Sequence, residues 1–517
     1  MSHSPYGGKA LRASTLSYLG GRLASAVLTF TAFALAARLL PLAEYGVYAA
    51  ALALIELALA LSTGGMEWVV ARVLPESRMH AGGRATARLV LRLGAVQTLL
   101  MLAVGAALVL AAPAVGALLQ MTGSVAVFRL AGAVVVAEGV GRLLRDQMLG
   151  VLMEQRSGQL AQAVRSGILM LQLLYAWHGG TALDAHAMLQ LELVASCCGT
   201  VAGALLLARI LKALMPVEAA RPEWRPPPPA AMARLALHNF ASYVLAMLYG
   251  PQVLTMLIAR LLGADAVAVF GFARAFADQV RRYLPTDLLL TVVRPALIAF
   301  YAAGNNFSAL SVRLGLWLKV SLMVLFPLLV FFAAFGALGM QALGGARFTQ
   351  AWPVLLVLLC SAATSSWRRV LELGCNTVMA SDICARATLV LVLVPPLLAL
   401  ALYLTQQLVL AVALVVAAEI VFCWRVVRSL RARGFTGQWD VRGFARLLAG
   451  GVGAVAVLLL LRQWWHFSLP VAVLTAGLAA LAALRLALPL NAVEGVLVAS
   501  WNTRLARLVG WYGNKLP

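Results

Sequence analysis

Charge is scarce in this chain, and acidic charge is scarcest. Asp, Glu, Lys and Arg make up 12% of the 517 residues, against about 25% in an ordinary soluble domain. Only 19 residues are acidic while 41 are basic. Long polar stretches are also missing: 62% of the chain is hydrophobic and the mean hydropathy is +0.91. A soluble protein with a large core is excluded, because apolar runs of about 20 residues recur throughout, each long enough to cross a bilayer. The net charge of +22 does not indicate nucleic acid. The basic residues gather in the connections between apolar runs, as cytoplasmic loops of membrane proteins do. Cysteine is sparse too. The six (Cys197, Cys198, Cys360, Cys375, Cys384 and Cys423) lie in or beside apolar runs without metal-ligand spacing to His. They read as reduced packing residues, with no metal site and no cofactor expected. The N-terminal apolar stretch is too long for a signal-peptide core, so it reads as an uncleaved first span.

What is present is a series of apolar runs that predicts an all-α polytopic membrane protein with about fourteen transmembrane helices. They are placed at about 15–38, 45–71, 88–111, 123–148, 156–177, 185–211, 235–261, 265–293, 314–337, 351–374, 384–404, 407–427, 443–462 and 468–488. The connections are short, leaving no room for an extramembrane catalytic domain. The termini and the even-numbered connections hold most of the basic residues, among them Lys9, Arg84, Arg156, Lys212, Arg225, Arg313, Arg386 and Arg431. The positive-inside rule then makes both termini cytoplasmic. An even number of spans requires 265–293 to be one long helix bent at Pro285.

A proline-rich segment, near residues 215–233, cannot continue a helix and reads as an extended linker. It follows the sixth span and suggests a plan of six, six and two. The expected division is an N-terminal lobe over 1–212, a cytoplasmic linker over 213–232 and a C-terminal lobe over 233–433. Two further spans cover 434–490 and an amphipathic cytoplasmic tail 491–517. A repeat supports this. Residues 34–56 align without gaps on 256–278, a shift of 222 that carries Ala37-Arg38-Leu39-Leu40 onto Ala259-Arg260-Leu261-Leu262. It also pairs Glu56 with Asp278, both inside spans. Parallel repeats of this kind relate two lobes of a transporter.

Span 8 carries Arg274, Asp278, Arg281 and Arg282 in an otherwise apolar run. On a helix, positions 274, 278 and 281 fall within about 60° of one another. Each such charge at bilayer depth costs about 2.5–3.5 kcal/mol, while each Leu or Val returns only about 0.3–0.6. The charged face therefore has to line protein or water.

The motifs ARLLPLAEYGVYAAALAL (37–54), PTDLLLTVVRPAL (285–297) and GGARFTQAWPVL (344–355) resemble those of bacterial polysaccharide flippases of the MATE-like (MOP) exporter superfamily. The resemblance covers the first twelve spans. It implies two six-helix lobes around a central cavity, plus two C-terminal helices. It also implies an inner-membrane transporter that carries undecaprenyl-diphosphate-linked oligosaccharide from the cytoplasmic to the periplasmic leaflet. The expected partners are that lipid-linked diphosphate and membrane lipids, with a polysaccharide polymerase and chain-length proteins as protein partners. The chain departs from the group in being rich in buried arginine and poor in lysine.

A diphosphate head group calls for cations that stay charged when partly desolvated, which suits Arg. Arg22, Arg165 and Arg274, with Arg281 and Arg282, are the candidate cationic lining. The alternative for Arg274 is a structural pair with Asp278 at i, i+4; for Arg281 and Arg282 it is an interfacial position. Glu56, Glu138 and Asp278 are the candidate ion-coupling acids. A counter-ion role beside Arg22 or Arg142 is the alternative for the glutamates. Pro327 and Pro395-Pro396 are candidate kinks. Three other functions stand as alternatives: a peptidoglycan-precursor flippase, a MATE-type exporter, or a membrane oligosaccharide polymerase or ligase. The last lacks a sizeable periplasmic loop with reactive residues. An arginine-rich cavity would repel the organic cations that drug exporters carry.

Overall fold

The computed structural model describes residues 21, 25, 27–219, 221, 223–247, 250–304 and 306–501. Among these the chain is helical, with no β-strand. Ten helical stretches among the described residues are long and apolar enough to cross a membrane. By packing, the chain divides into two compact units, 1–271 and 272–517. The division falls at Gly271 and not in the proline-rich segment.

In the first unit, helix α1 (Val27–Leu39) is followed by α2 (Leu42–Ser62), α3 (Met66–His80) and α4 (Gly83–Leu118). Next come α5 (Val125–Arg142), a π-helical segment (Leu143–Leu149), α6 (Gln155–His178) and α7 (Ala185–Leu214). The unit ends with α8 (Pro229–Met247), α9 (Pro251–Leu262) and the first turns of α10 (Ala264–Tyr283). α5 packs against α4 and α7, and α6 against α7. The core holds Val69, Val73, Leu74, Leu93, Leu149 and Leu207, with Trp224 of the proline-rich segment packed against it. That segment is pinned by Gly83 N donating to Val217 O and Arg221 N to His80 O.

The second unit holds α11 (Pro285–Leu288), α12 (Leu290–Gly304), α13 (Phe307–Gly344) and α14 (Trp352–Thr377). It continues with α15 (Ser381–Thr388), α16 (Val394–Thr405), α17 (Leu408–Ala432), α18 (Val441–Trp464), α19 (Leu469–Ala487) and α20 (Ala492–Trp501). α14 lies along both α13 and α17, while α18 and α19 pair with each other and with α13. Phe326, Phe335, Leu458 and Ala476 form the core of the latter contact. Several helices start as their sequences require. Asp184, Asn306 and Asp440 accept from the backbone N–H three residues on, filling orphan donors of the first turn.

The repeat is visible in the backbone. α2 begins at Leu42 and α10 at Ala264, 222 positions on, each after a short break behind the preceding helix. A Cβ on Gly46 would lie 1.9 Å from the Ala264 carbonyl oxygen. Only glycine admits this approach of α2 to the start of α10.

Four expected spans differ in detail. The run at 45–71 ends at Ser62, where Gly64 and Gly65 take positive φ (53° and 74°) and α3 starts afresh. The run at 235–261 is broken before Pro251 into α8 and α9. The helix expected to bend at Pro285 instead stops. Leu284 is extended (ψ 139°) and one turn, α11, intervenes before α12. Proline lacks the N–H and pushes its predecessor out of the helical region. The freed groups are held: Ser321 Oγ accepts from Thr286 N at 2.9 Å, and Trp317 Nε1 donates to Pro285 O at 3.2 Å. Pro395-Pro396 start α16 after a 3₁₀ turn and do not kink a helix. Pro327 does lie inside α13, whose one non-helical residue is Phe335.

Candidate functional site

The first unit brings six charges from five neighbouring segments together. Glu56 comes from α2, Glu138 and Arg142 from α5, Arg145 from the π segment, Arg165 from α6 and Glu192 from α7. Arg142 donates Nη2 to Glu56 Oε1 at 2.6 Å and Nη1 to Oε2 at 2.9 Å, while its Nε reaches Glu138 Oε1 at 2.9 Å. Arg145 Nη2 joins the same Oε1 at 3.0 Å. On the other side, Arg165 Nε lies 2.6 Å from Glu138 Oε2 and its Nη2 2.8 Å from Glu192 Oε2. Tyr48 donates its hydroxyl to Glu192 at 2.9 Å, and Ser196 reaches Glu138 at 3.3 Å.

Three glutamates thus meet three arginines, and the set is neutral. Glu138 is 4% exposed and accepts three guanidinium groups. Such pairing is the condition for holding charge at membrane depth. The π segment follows Arg142 directly and contains Arg145, so the wider turn sets the spacing of two of the three arginines that share Glu138. Small residues make the room. A Cβ on Gly141 would come within 2.8 Å of Arg145 Nη1, and one on Gly199 within 2.7 Å of Arg165 Cβ. Arg145 Nε and Nη1 are buried without a hydrogen-bond partner among the described residues.

The second unit carries its charges in separate pairs. On α10, Arg274 Nε lies 3.3 Å from Asp278 Oδ2. Arg369 pairs with Asp287 and Arg368 with Glu372, each at 2.8 Å. Arg281 is half-buried and acts as a like charge on Arg369, while Arg282 is exposed. Lys319, fully buried inside α13, sits 2.6 Å from both Asp440 and Glu494 and donates to Pro489 O at 3.0 Å. It ties α13 to the start of α18 and to α20. Val498 of α20 packs on Leu316, while Val493 and Val496 are exposed. The described part of the tail therefore docks on α13. Its remaining residues, from 502 on, lie outside the described residues, as does Arg22.

Of the residues singled out by sequence, Arg165, Glu56 and Glu138 meet in one network, and Arg274 and Asp278 meet in one pair. Arg142, Arg145, Glu192 and Tyr48 complete the network. Glu192 and Arg145 carried the signal already used for span 8, a charge within an apolar run. Lys319 and Glu419 carried it as well.

The fold is shared with known transporters. A lipid II flippase, MurJ, in an inward-closed conformation superposes over 94% of this chain and 99% of its own, with TM-score 0.64 at 9% identity. An inward-facing multidrug resistance MATE family transporter of the MOP superfamily superposes over 81% of this chain and 98% of its own, with TM-score 0.58 at 14% identity. No curated protein sequence matches the chain. The sequence of residues 11–285, just over half of the chain and nearly all of the unit that holds the ion-pair network, matches the family described as polysaccharide biosynthesis protein. The chain belongs to that family and is a multi-pass membrane protein with the fold of MOP-superfamily transporters.

Proposed function

We propose that this protein is a flippase that carries an undecaprenyl-diphosphate-linked oligosaccharide from the cytoplasmic to the periplasmic leaflet of the bacterial inner membrane by alternating access. The observation that carries this reading is the combination of a polysaccharide biosynthesis sequence family with a transporter fold along almost the whole chain. A lipid-linked sugar is the polysaccharide intermediate that has to cross a membrane. In this reading both termini are cytoplasmic, as the basic connections favour. Arg274, Arg281 and Arg282 supply the cationic surface for the diphosphate. Arg165 takes part by exchanging its carboxylate partners for phosphate oxygens, and Arg22 adds a further cation at similar expected depth. Glu56, Glu138 and Asp278 hold arginines in place, since a coupling ion would have to displace a guanidinium from each. A polysaccharide polymerase would receive the product, and the chain itself carries out no bond-making step.

A strain lacking the gene tests this by its lipid-linked intermediates. Accumulated oligosaccharide-diphosphate lipid on the cytoplasmic side is the expected result; accumulated peptidoglycan precursor would move the reading to the substrate named for the MurJ structure. Within the protein, Arg274→Ala is expected to abolish surface polysaccharide at normal protein level, with Arg274→Lys retaining part of it. Normal polysaccharide in Arg274→Ala would remove the central member of the cationic surface.

A further inference from the structure

We infer that Cys375 and Cys384, at the corner between α14 and α15, form a redox-active dithiol, which a small-molecule disulfide oxidises to an internal disulfide and a small-molecule thiol restores. The pair takes no part in the transport reading and stands or falls apart from it.

The end of α14 sets where Cys375 lies. The helix closes at Thr377, Val378 caps it, and Met379 takes positive φ (57°). Ala380 N donates to Cys375 O at 2.8 Å and Met379 N to Asn376 O at 3.3 Å. These two bonds make a Schellman motif, in which the side chain third from the helix end meets the chain as it leaves. Cys375 holds that third position. The departing chain enters α15 at once: Ile383 N donates to Ala380 O at 3.1 Å, and Ile383 and Ala387 form the buried face. Cys384 follows Ile383, and its thiol shares a hydrogen bond with that of Cys375. The two helices pack on each other around this contact. Joining the sulfurs therefore takes a side-chain adjustment. The loop closure that opposes a disulfide in an unordered chain has already been made by folding.

Burial divides the labour. Cys375 is fully buried and Cys384 half-buried, so Cys384 meets a reagent first and Cys375 resolves. Among the described residues no His, Cys, Asp or Glu joins them as a third metal ligand. The charged neighbours come in pairs. Arg368 and Glu372 of α14 both act on Cys384, while Arg433 of α17, paired with Asp382, acts on Cys375. Each cation is matched by a carboxylate, so no net positive charge selects a thiolate. The chemistry is slow exchange, on the minutes-to-hours scale of uncatalysed disulfide rearrangement, and not rapid peroxide sensing.

The exchange balances in two steps. Cys384 gives its proton to solvent and its sulfur attacks one sulfur of the small disulfide. A mixed disulfide forms on Cys384, and the other half leaves as a thiolate that takes up a proton. Cys375 then loses its proton and attacks Cys384 Sγ, expelling the second half as a thiol. Two electrons pass from the cysteine pair to the small disulfide, and one sulfur–sulfur bond forms for one broken. In the orientation proposed above, this corner faces the cytoplasm, where the thiol pool keeps the pair reduced until that pool is itself oxidised. The bond would close the turn at 378–380, where Met379 is 91% exposed. It would also tie α15 to α14, adding to the Asp382–Arg433 pair that holds α15 to α17.

The test uses the purified full chain in detergent, with oxidised and then reduced glutathione as probes. Cleavage after Arg369 and Arg386 releases residues 370–386, which hold both cysteines and no others, so one peptide reports the state of the pair. After oxidised glutathione, the wild-type peptide is expected to have lost two hydrogens and to resist alkylation; reduced glutathione should return both thiols. Cys375→Ser is expected to stop at the mixed disulfide, with glutathione on Cys384. Cys384→Ser should leave Cys375 unmodified in the folded chain. Glutathione left on Cys384 in the wild type, with no internal bond, would overturn the proposal, and so would free thiols in the wild type and in Cys375→Ser alike. In untreated cells the peptide is expected as the dithiol. A disulfide there would support the pair while overturning the cytoplasmic placement of this corner.

Discussion

Arg142 grips Glu56 with both terminal nitrogens, at 2.6 and 2.9 Å, while its remaining nitrogen holds Glu138 at 2.9 Å. One guanidinium thereby joins α2 to α5 and feeds a neutral network that runs on to α6 and α7. Replacing Arg142 with Gln is expected to destabilise the first unit, and so is Glu56→Gln alone. The double variant should recover part of the loss, with a coupling of about 0.5–3 kcal/mol. Thermal melting of the four proteins in detergent checks this; strictly additive losses would show that the pair contributes nothing.

Gly199→Ala would place a Cβ 2.7 Å from Arg165 Cβ, whereas Gly167, on the same α6 as Arg165, has open space around the corresponding position. Gly199→Ala is expected to cost about 1–3 kcal/mol by forcing α6 and α7 apart. Gly167→Ala should be neutral or stabilising by up to about 1 kcal/mol, through helix propensity. Equal melting temperatures for the two variants would contradict the packing argument.

Removing Lys319 leaves Asp440 and Glu494 facing one another without their cation. The expected cost of Lys319→Met is about 3–5 kcal/mol, lowered when Asp440→Asn and Glu494→Gln are added. Limited proteolysis at the tail measures the same event, with cleavage near α20 becoming faster in Lys319→Met and slower again in the triple variant.

Asp440 lies just ahead of the α18 span. Burial alone would raise its carboxyl, but the Lys319 ammonium and the Gly443 N–H outweigh this and hold it below the ordinary aspartate value. Because the folded value is the lower one, the stabilisation is complete above about pH 4 and is lost as pH falls through the folded value. Wild-type melting temperature should drop on such acidification, and Asp440→Asn should flatten that part of the curve.

Much of this architecture was legible in the sequence because a bilayer imposes a length and a composition on each span. The repeat at 34–56 and 256–278 located the shared helix break, and the cost of buried charge singled out Glu56, Glu138, Arg165 and the Arg274–Asp278 pair. Three-dimensional pairing was not legible. Nothing in the spacing of Glu138, Arg165 and Glu192 says that three helices bring them within 3 Å. Pro285 was visible, but whether a proline bends or ends a membrane helix depends on what receives the freed backbone. Here Ser321 and Trp317, more than thirty residues away, receive it.

The Lys319 contact also decides how far the chain can be shortened. Helices α18, α19 and α20 look like an appendix to a twelve-span transporter, yet two of the three groups that satisfy a fully buried ammonium come from beyond residue 488, and the third opens α18. A protein cut after α17 would strand that ammonium in hydrocarbon. Any shortened protein engineered from this chain therefore has to exchange Lys319 for an apolar residue in the same step.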